Sequence, residues 1–522
     1  GGMRAARLAL SLMLLGRVGA RSAALVARAP VAARRALGTA TRSQVSAAAG
    51  GSTGGGGRGS AAVVQDDARR SDASPSAPAE KLDLNPPRGT RDFFPADMRL
   101  RSWLFGQWRA VSAAHAFEEY DSPVLEAEAL YVRKAGEEVT QQLYNFEDKG
   151  GRRVSLRPEM TPSLARMVLA QRNALPLPLK WFSIPQCWRY ERTTRGRRRE
   201  HFQWNMDIWG VAGVEAEAEL LAAAVGFCER VGLGAGDVGV RVSSRRCLAE
   251  AMAALGVPDE LFARACIAID KLDKIGADAV VAELEEKQGL AAEAGRQIVA
   301  TLAIKSFDEL KALLGSAADE AVEELGRLFE LAKDYGIDDW LTFDASVVRG
   351  LAYYTGIVFE GFDKSGVLRA ICGGGRYNRL LTLYGAQSEV AAVGFGFGDC
   401  VIMELLALKE LTPVLPQRTD YVIVPFDASM RGPALRVARI IREGGFSCDM
   451  LLEPTKKVKN AFSYADRIGG ERVVFVAPDE WQRGCVRVKD LRSGDEDSKQ
   501  VDVPVDELAD KLSAMQLGSS SS

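Results

Sequence analysis

Two segments carry side chains suited to a phosphorylated substrate with a polar ring. VVRGLAYYTG at 347–356 supplies Arg349, Tyr353 and Tyr354; CGGGRYN at 372–378 supplies three consecutive glycines and Tyr377. A guanidinium is permanently charged and presents a planar fork of donors that matches phosphate oxygens. Phenols donate or accept, which suits a ring such as an imidazole, with one donor and one acceptor nitrogen. The glycines allow close backbone approach. Between the segments, GIVFEGF, the turn DKSG and VLRAIC predict a β-hairpin that brings Arg349, the tyrosine pair and Tyr377 together. The plainer alternative is a buried hairpin with incidental tyrosines.

A second group lies upstream. RRVSLRPEMTPSLARMVLAQ (152–171) reads as a strand ending at Pro158 and then a helix, with Glu159 and Thr161 at the corner. Those two side chains either point into a cleft or cap the helix. Next, LKWFSIPQCWRYE and HFQWNMDIWG read as strands joined by the loop RTTRGRRRE. Period two puts Cys187, Arg189 and Glu191 on one face of the first strand. On the second, Phe202, Trp204, Met206 and Ile208 face one way, and His201, Gln203, Asn205 and Asp207 the other. A face carrying Arg, Glu, Gln and Asp is costly to bury empty, so it predicts the floor of a polar ligand site. Six arginines fall between 189 and 199, Arg197 among them. A charge run is usually a solvated loop; on this hairpin, phosphate binding is the better account.

The elements that must position these groups are legible in outline. A helix from about Asp97 to Ala113 carries Leu100, Trp103, Leu104, Trp108 and Val111 on one stripe. Residues 237–340 read as mostly helical, opened by a strand and capped by Ser243 or Ser244. VGFGFGDCVIMEL (393–405) is a glycine-rich strand and helix. Its neighbours are hairpins rather than βαβ units, which argues against a dinucleotide fold. From about Thr419 strands and helices alternate: YVIVPF, a helix near 431–443, FSCDMLL, a helix near 456–468, and ERVVFVAP. KKVKNAF, with Lys456, Lys457 and Lys459, is either an RNA-facing helix start or a solvated one.

Composition narrows the function classes. A net charge of −2 and pI near 6.1 argue against a general nucleic-acid binder, so RNA contact would use local basic patches. Eight cysteines with no CxxC, and two histidines, predict reduced buried thiols and no metal site. No apolar run reaches transmembrane length, so no membrane insertion is expected. The first 65 residues hold nine arginines, no lysine and no acidic residue before Asp66. That is the composition of an organellar transit peptide. A secretory signal competes through LALSLMLLG, but the arginines continue well past it. Residues 66–84 read as a flexible linker within a Gly-, Ser- and Pro-rich stretch.

The segments resemble those of histidyl-tRNA synthetases, a class II aminoacyl-tRNA synthetase family. PRGTRDF at 87–93, the RPE-T corner, the Arg-x-Glu hairpin and the paired VVRGLAYYTG and CGGGRYN segments fall in the family's order. The resemblance implies an antiparallel class II catalytic sheet in an α/β chain, with a helical insertion and a C-terminal α/β anticodon-binding domain. It places the catalytic core at 85–236 and 341–412, the insertion at 237–340 and the anticodon-binding domain at 417–516. By the family's pattern Arg349 and Arg189 hold the α-phosphate of ATP. Glu191 meets the adenine amino group, and Arg197 the far phosphates. Glu159 and Thr161 hold the amino group of histidine, Gln203 helps orient it, and Asp207, Tyr353, Tyr354 and Tyr377 surround its side chain. Asp207 stands where the family usually has a glutamate, and Ala352 where it commonly has an acidic residue. Val401 stands where the glycine-rich motif ends in an arginine that contacts the γ-phosphate.

The resemblance implies an organellar histidine–tRNA ligase of chloroplast, mitochondrion or both, using ATP with Mg2+, tRNA(His) and L-histidine, and acting as a homodimer. The rival is a histidine-sensing regulatory subunit on the same catalytic fold. The missing arginine at Val401 favours that rival; the arginine hairpin, Arg349 and the C-terminal domain oppose it.

Overall fold

The alternation of HFQWNMDIW produces an inner strand of a nine-stranded sheet in the computed structural model of this chain. The structure describes residues 82–133, 140–314, 319–349, 353–453, 457–492 and 500–519. The transit-peptide segment 1–65, most of the 66–84 linker, Ala352 and Lys456 lie outside the described residues. The elements below all belong to the unit Asp83–Ser522.

The sheet contains β1 (Glu118–Glu119), β2 (Leu179–Ser183), β3 (Gln186–Trp188), β4 (Glu200–Trp209), β5 (Val238–Ser244), β6 (Leu341–Phe343), β7 (Ile357–Asp363), β8 (Cys372–Arg376) and β9 (Ala392–Gly398). Its order is β1-β2-β4-β9-β8-β7-β5-β6, with β3 also paired to β4. All pairs from β2 to β5 are antiparallel; the two edge pairs, β1–β2 and β5–β6, are parallel. This is the antiparallel class II sheet expected from the sequence.

One face of β4 is apolar, as its period predicts. Trp204, Met206 and Ile208 are buried with Phe395 and Phe397 of β9 and with Leu104, Trp108 and Val111 of the helix Pro95–Ala114. Each such side chain contributes about 1.5–3 kcal/mol on burial. The indole nitrogen of Trp204 donates to Ser112 Oγ at 2.9 Å, which satisfies the polar tip inside that core. Leu220 and Phe227 of the helix Glu215–Arg230 close it from above. The opposite face of β4 is left for polar side chains.

Two local expectations fail for identifiable reasons. LKWFSIPQCWRYE is not one strand: the ladder breaks between β2 and β3 at Pro185, which has no N–H to donate. VLRAIC is not a strand either, since β8 starts only at Cys372. There the buried Asp363 carboxylate accepts from the backbone N–H of Ser365 (2.9 Å), Val367 (3.2 Å) and Leu368 (3.2 Å). Those bonds commit residues 364–368 to a turn instead of a ladder. The sequence reading also missed a strand, Gln500–Pro504.

Val238–Ser244 pairs with β7 as part of the main sheet, and the helices run on from Arg245 to Tyr335. Ser244 caps the first of them, accepting from Cys247 N at 3.4 Å. Their core holds Met252, Ile269, Leu284 and Ile298, and it takes in Val348 as well.

The C-terminal part has its own five-stranded sheet, ordered Cys448–Met450, Thr419–Pro425, Gly470–Val476, Cys485–Asp490, Gln500–Pro504. The first three strands are parallel, with the helices Arg431–Glu443 and Val458–Arg467 as crossovers.

Candidate active site

The polar face of β4 is the floor. Its neighbour β9 supplies glycines, and β-strand pairing sets Gly394 opposite Asp207 and Gly396 opposite Asn205. A Cβ at Gly394 would strike the Asp207 carboxylate, and one at Gly396 would strike the Gln203 amide. The glycines therefore make room for side chains that lie across the neighbouring strand.

Asp207 is 2 % exposed. Its Oδ1 accepts from the Tyr377 hydroxyl, while its Oδ2 is buried with no hydrogen-bond partner among the described residues. Burial pushes its pKa up to about 7, and the Tyr377 hydrogen bond opposes that only in part. An unpaired buried carboxylate oxygen is a standing demand for a donor. Tyr120, just past β1 and two strands out from β4, has a buried hydroxyl with no hydrogen-bond partner among the described residues and feels the Asp207 charge. The sequence reading missed it; an aromatic at a strand end gave no signal beyond packing.

Tyr353, Tyr354 and Tyr377 form an aromatic cluster, with ring centroids 4.9, 6.0 and 6.5 Å apart. The Tyr353 hydroxyl donates to Glu159 Oε2 at 3.0 Å and is also hydrogen-bonded with Thr161. The strand-to-helix corner thus faces the tyrosines. Met160, the N-cap of the helix Thr161–Ala170, makes no side-chain cap. Buried Arg157 fixes the corner by donating to Gln186 O (2.9 Å), Ser122 O (2.7 Å) and Asp121 Oδ1 (2.9 Å). Glu159, Thr161, Gln203, Asp207, Tyr353, Tyr354 and Tyr377 are therefore contributed by four separate stretches of chain.

Arg349 stands at the other end of this site. Its φ is +58°, a left-handed conformation uncommon outside glycine, asparagine and aspartate. Its Nη1 donates to Glu360 Oε1 at 2.5 Å, and its guanidinium lies over Gly373, where any Cβ would collide with it. Burial works against its charge, but Glu360, Tyr354 and Asp270 together outweigh that and hold its pKa above the ordinary value. Arg245, the first residue of the helical run and 2 % exposed, donates from Nη1 to Val348 O (3.0 Å) and Arg349 O (2.9 Å).

Opposite lies the arginine hairpin. Arg189 Nε donates to Pro158 O at 2.9 Å, which ties the hairpin to the Glu159 corner. Arg197 Nη2 donates to Glu191 Oε1 at 2.9 Å, so these two are paired with each other in this structure. His201 lies among the guanidinium groups. Burial first, then Arg189, Arg91, Arg369 and Arg197, push its pKa down to about 3, so it is neutral. Arg91 of PRGTRDF bonds Asp399 at 2.8 Å, and Asp399 accepts from Phe202 N at 2.9 Å. Val401 is 6 % exposed and packs in the apolar core beneath Gly196. The site therefore has a carboxylate-and-phenol end and a guanidinium end, which suits a polar ring at one and phosphates at the other.

Residues 89–398 match the family model described as Histidyl-tRNA synthetase, and residues 420–515 the one described as Anticodon binding domain. The chain is 54% identical over 417 residues to the curated "Histidine--tRNA ligase, chloroplastic/mitochondrial" of Arabidopsis thaliana, covering 80% of this chain and 85% of that protein. It is 38% identical over 424 residues to the "Histidine--tRNA ligase" of Opitutus terrae, covering 80% and 96%. The histidyl-tRNA synthetase structure from Nostoc sp. PCC 7120 shares the fold, with TM-score 0.65, 24% identity, and 83% and 100% coverage.

Proposed function

The chain belongs to the histidyl-tRNA synthetase family, and from that premise we propose how its own residues carry out histidine–tRNA ligation. The activity is that of an organellar histidine–tRNA ligase. A carboxylate oxygen of histidine attacks the α-phosphorus of ATP; the bond to the β-phosphate breaks and pyrophosphate leaves. The terminal adenosine of tRNA(His) then takes the histidyl group from the adenylate, releasing AMP.

Side chains do little covalent chemistry in such a reaction, so positioning and charge stabilisation dominate. Arg189 and Arg349 approach the α-phosphate from opposite walls and stabilise the charge that grows there. Glu191 turns to the adenine amino group when Arg197 leaves it for the far phosphates. Asp207, held by the Tyr377 hydroxyl, pairs the imidazole N–H, with Tyr353, Tyr354 and Tyr377 around the ring. Glu159 and Thr161 take the ammonium group, and Gln203 orients the amino acid. The unpartnered Asp207 Oδ2 supports this most directly, because an imidazole N–H supplies the donor it lacks. An analogue without ring nitrogens leaves that oxygen unpaired and is rejected strongly.

Magnesium arrives with ATP. Among the described residues no three His, Cys, Asp or Glu side chains are grouped to hold a metal ion. Mg2+ is commonly held by substrate phosphates and water with only one or two protein carboxylates. No helix among the described residues is long and apolar enough to cross a membrane. Val124, Leu125 and Phe146 are exposed on the small sheet of Leu125–Ala127, Tyr144–Glu147 and Arg153–Leu156, an apolar surface for the family's dimer contact. Residues 1–65 direct import, as the chloroplastic/mitochondrial relative suggests, and 66–84 link them to the enzyme. Core, insertion and anticodon-binding domain follow the family's order at 85–236, 237–340, 341–412 and 417–516.

Incubating the protein with labelled histidine, ATP and tRNA(His) tests this reading. Histidyl-tRNA is the expected product. Histidine binding without any histidyl-tRNA would transfer the chain to the regulatory-subunit reading.

A further inference from the structure

The family's γ-phosphate arginine is replaced by Val401, and Val401 is buried in apolar surroundings. A cation for the far phosphates must come from elsewhere. Arg369 lies on the turn between β7 and β8, away from the family's signature residues. Two restraints place it. Asp363 pins the backbone of residues 365–368, and Ile371 N donates to Gly361 O at 2.8 Å. The side chain crosses toward the arginine hairpin: its Cδ lies 3.9 Å from where a Cβ on Gly196 would sit. That same point is 3.1 Å from Val401 Cγ2, so Arg369 reaches the space above the valine.

Its charge is not neutralised there. Among the described residues Arg369 forms no ion pair or hydrogen bond with an acidic side chain. Glu191 and Glu360 are acids whose charge it feels, and each is bound to another arginine, Arg197 and Arg349 respectively. Burial first, and then Arg197 and Arg189, lower its pKa. Three guanidinium groups gathered around two engaged carboxylates form a site that is completed by an anion of several charges.

We propose that Arg369 is a phosphate-binding residue that takes the β- and γ-phosphates of ATP in place of the arginine missing at Val401. This inference rests on the ATP-dependent reading above. It makes Arg369 specific for the polyphosphate and indifferent to adenosine, the α-phosphate and histidine.

Purified full-length enzyme tests it, by histidine-dependent ATP–pyrophosphate exchange and by calorimetric binding of ATP and of AMP. For Arg369→Ala the KM for ATP rises about 10–100-fold, as for loss of a charge-assisted contact, with the KM for histidine unchanged. ATP binding weakens by a similar factor while AMP binding stays within twofold of wild type. Arg369→Lys recovers part of the loss. An unchanged ATP KM overturns the proposal, and so does an equal loss of ATP and AMP, which would mark a structural residue. Wild-type protein without histidine-dependent exchange would instead overturn the enzymatic reading itself.

Discussion

Arg245 donates from Nη1 to the backbone carbonyl of Arg349 at 2.9 Å. The helical run therefore begins with the residue that holds the left-handed turn at Arg349, the residue proposed to meet the α-phosphate. Val348, adjacent to that turn, is buried in the core of those same helices. The helices thus anchor the backbone from which the Arg349 side chain projects.

Arg245→Ala leaves two carbonyls without their donor. We expect kcat for histidine-dependent pyrophosphate exchange to fall by about 10-fold or more, as for a modest misplacement of a catalytic group. Stability should drop by a few kcal/mol, about what removing a buried charged donor costs. Steady-state kinetics beside denaturant unfolding checks both. Full kcat in a folded variant would disconnect the helices from Arg349.

Burial pushes the Asp207 pKa from the ordinary carboxylate value of 3.8 up to about 7 in the folded protein. The folded protein then binds the proton more tightly than the unfolded chain. Ionised Asp207 destabilises the fold, so its penalty is absent below about pH 4, grows as pH rises, and levels off above about pH 7. Asp207→Asn carries no such penalty. It should match wild type in stability at pH 4 and exceed it at pH 8, by on the order of 4 kcal/mol at most. It should also bind histidine worse. Urea midpoints across this pH range give the answer; a difference independent of pH would contradict the buried-carboxylate account.

Tyr353→Phe removes the hydroxyl bonded to Glu159. The KM for histidine should rise roughly 10-fold, the worth of a hydrogen bond to a charged group, with the KM for ATP nearly unchanged. Equal effects on both substrates would remove Tyr353 from the amino-acid end of the site.

Much of this site was legible in the sequence because strand periodicity is local. Period two alone sorted Trp204, Met206 and Ile208 from Gln203 and Asp207, and the structure keeps that sorting. The corner at Glu159 and the tyrosine cluster followed from motif order. Other residues were not legible, for a physical reason in each case. Arg245 acts through carbonyls about a hundred residues away, which no periodicity reports. Arg369 was expected on a strand, and its position depends on Asp363 capturing three backbone N–H groups. Tyr120 became notable only once its hydroxyl was buried beside Asp207. Ala352 lies outside the described residues.

The central claim is that Arg349 stabilises charge on the α-phosphate during histidine activation. Histidine-dependent ATP–pyrophosphate exchange by Arg349→Ala, measured beside wild type with stability confirmed by unfolding, tests it most directly. The account predicts a loss of about 10²–10³ in kcat, the scale for removing one preorganised donor from a developing charge. Exchange at the wild-type rate in the folded variant would contradict it.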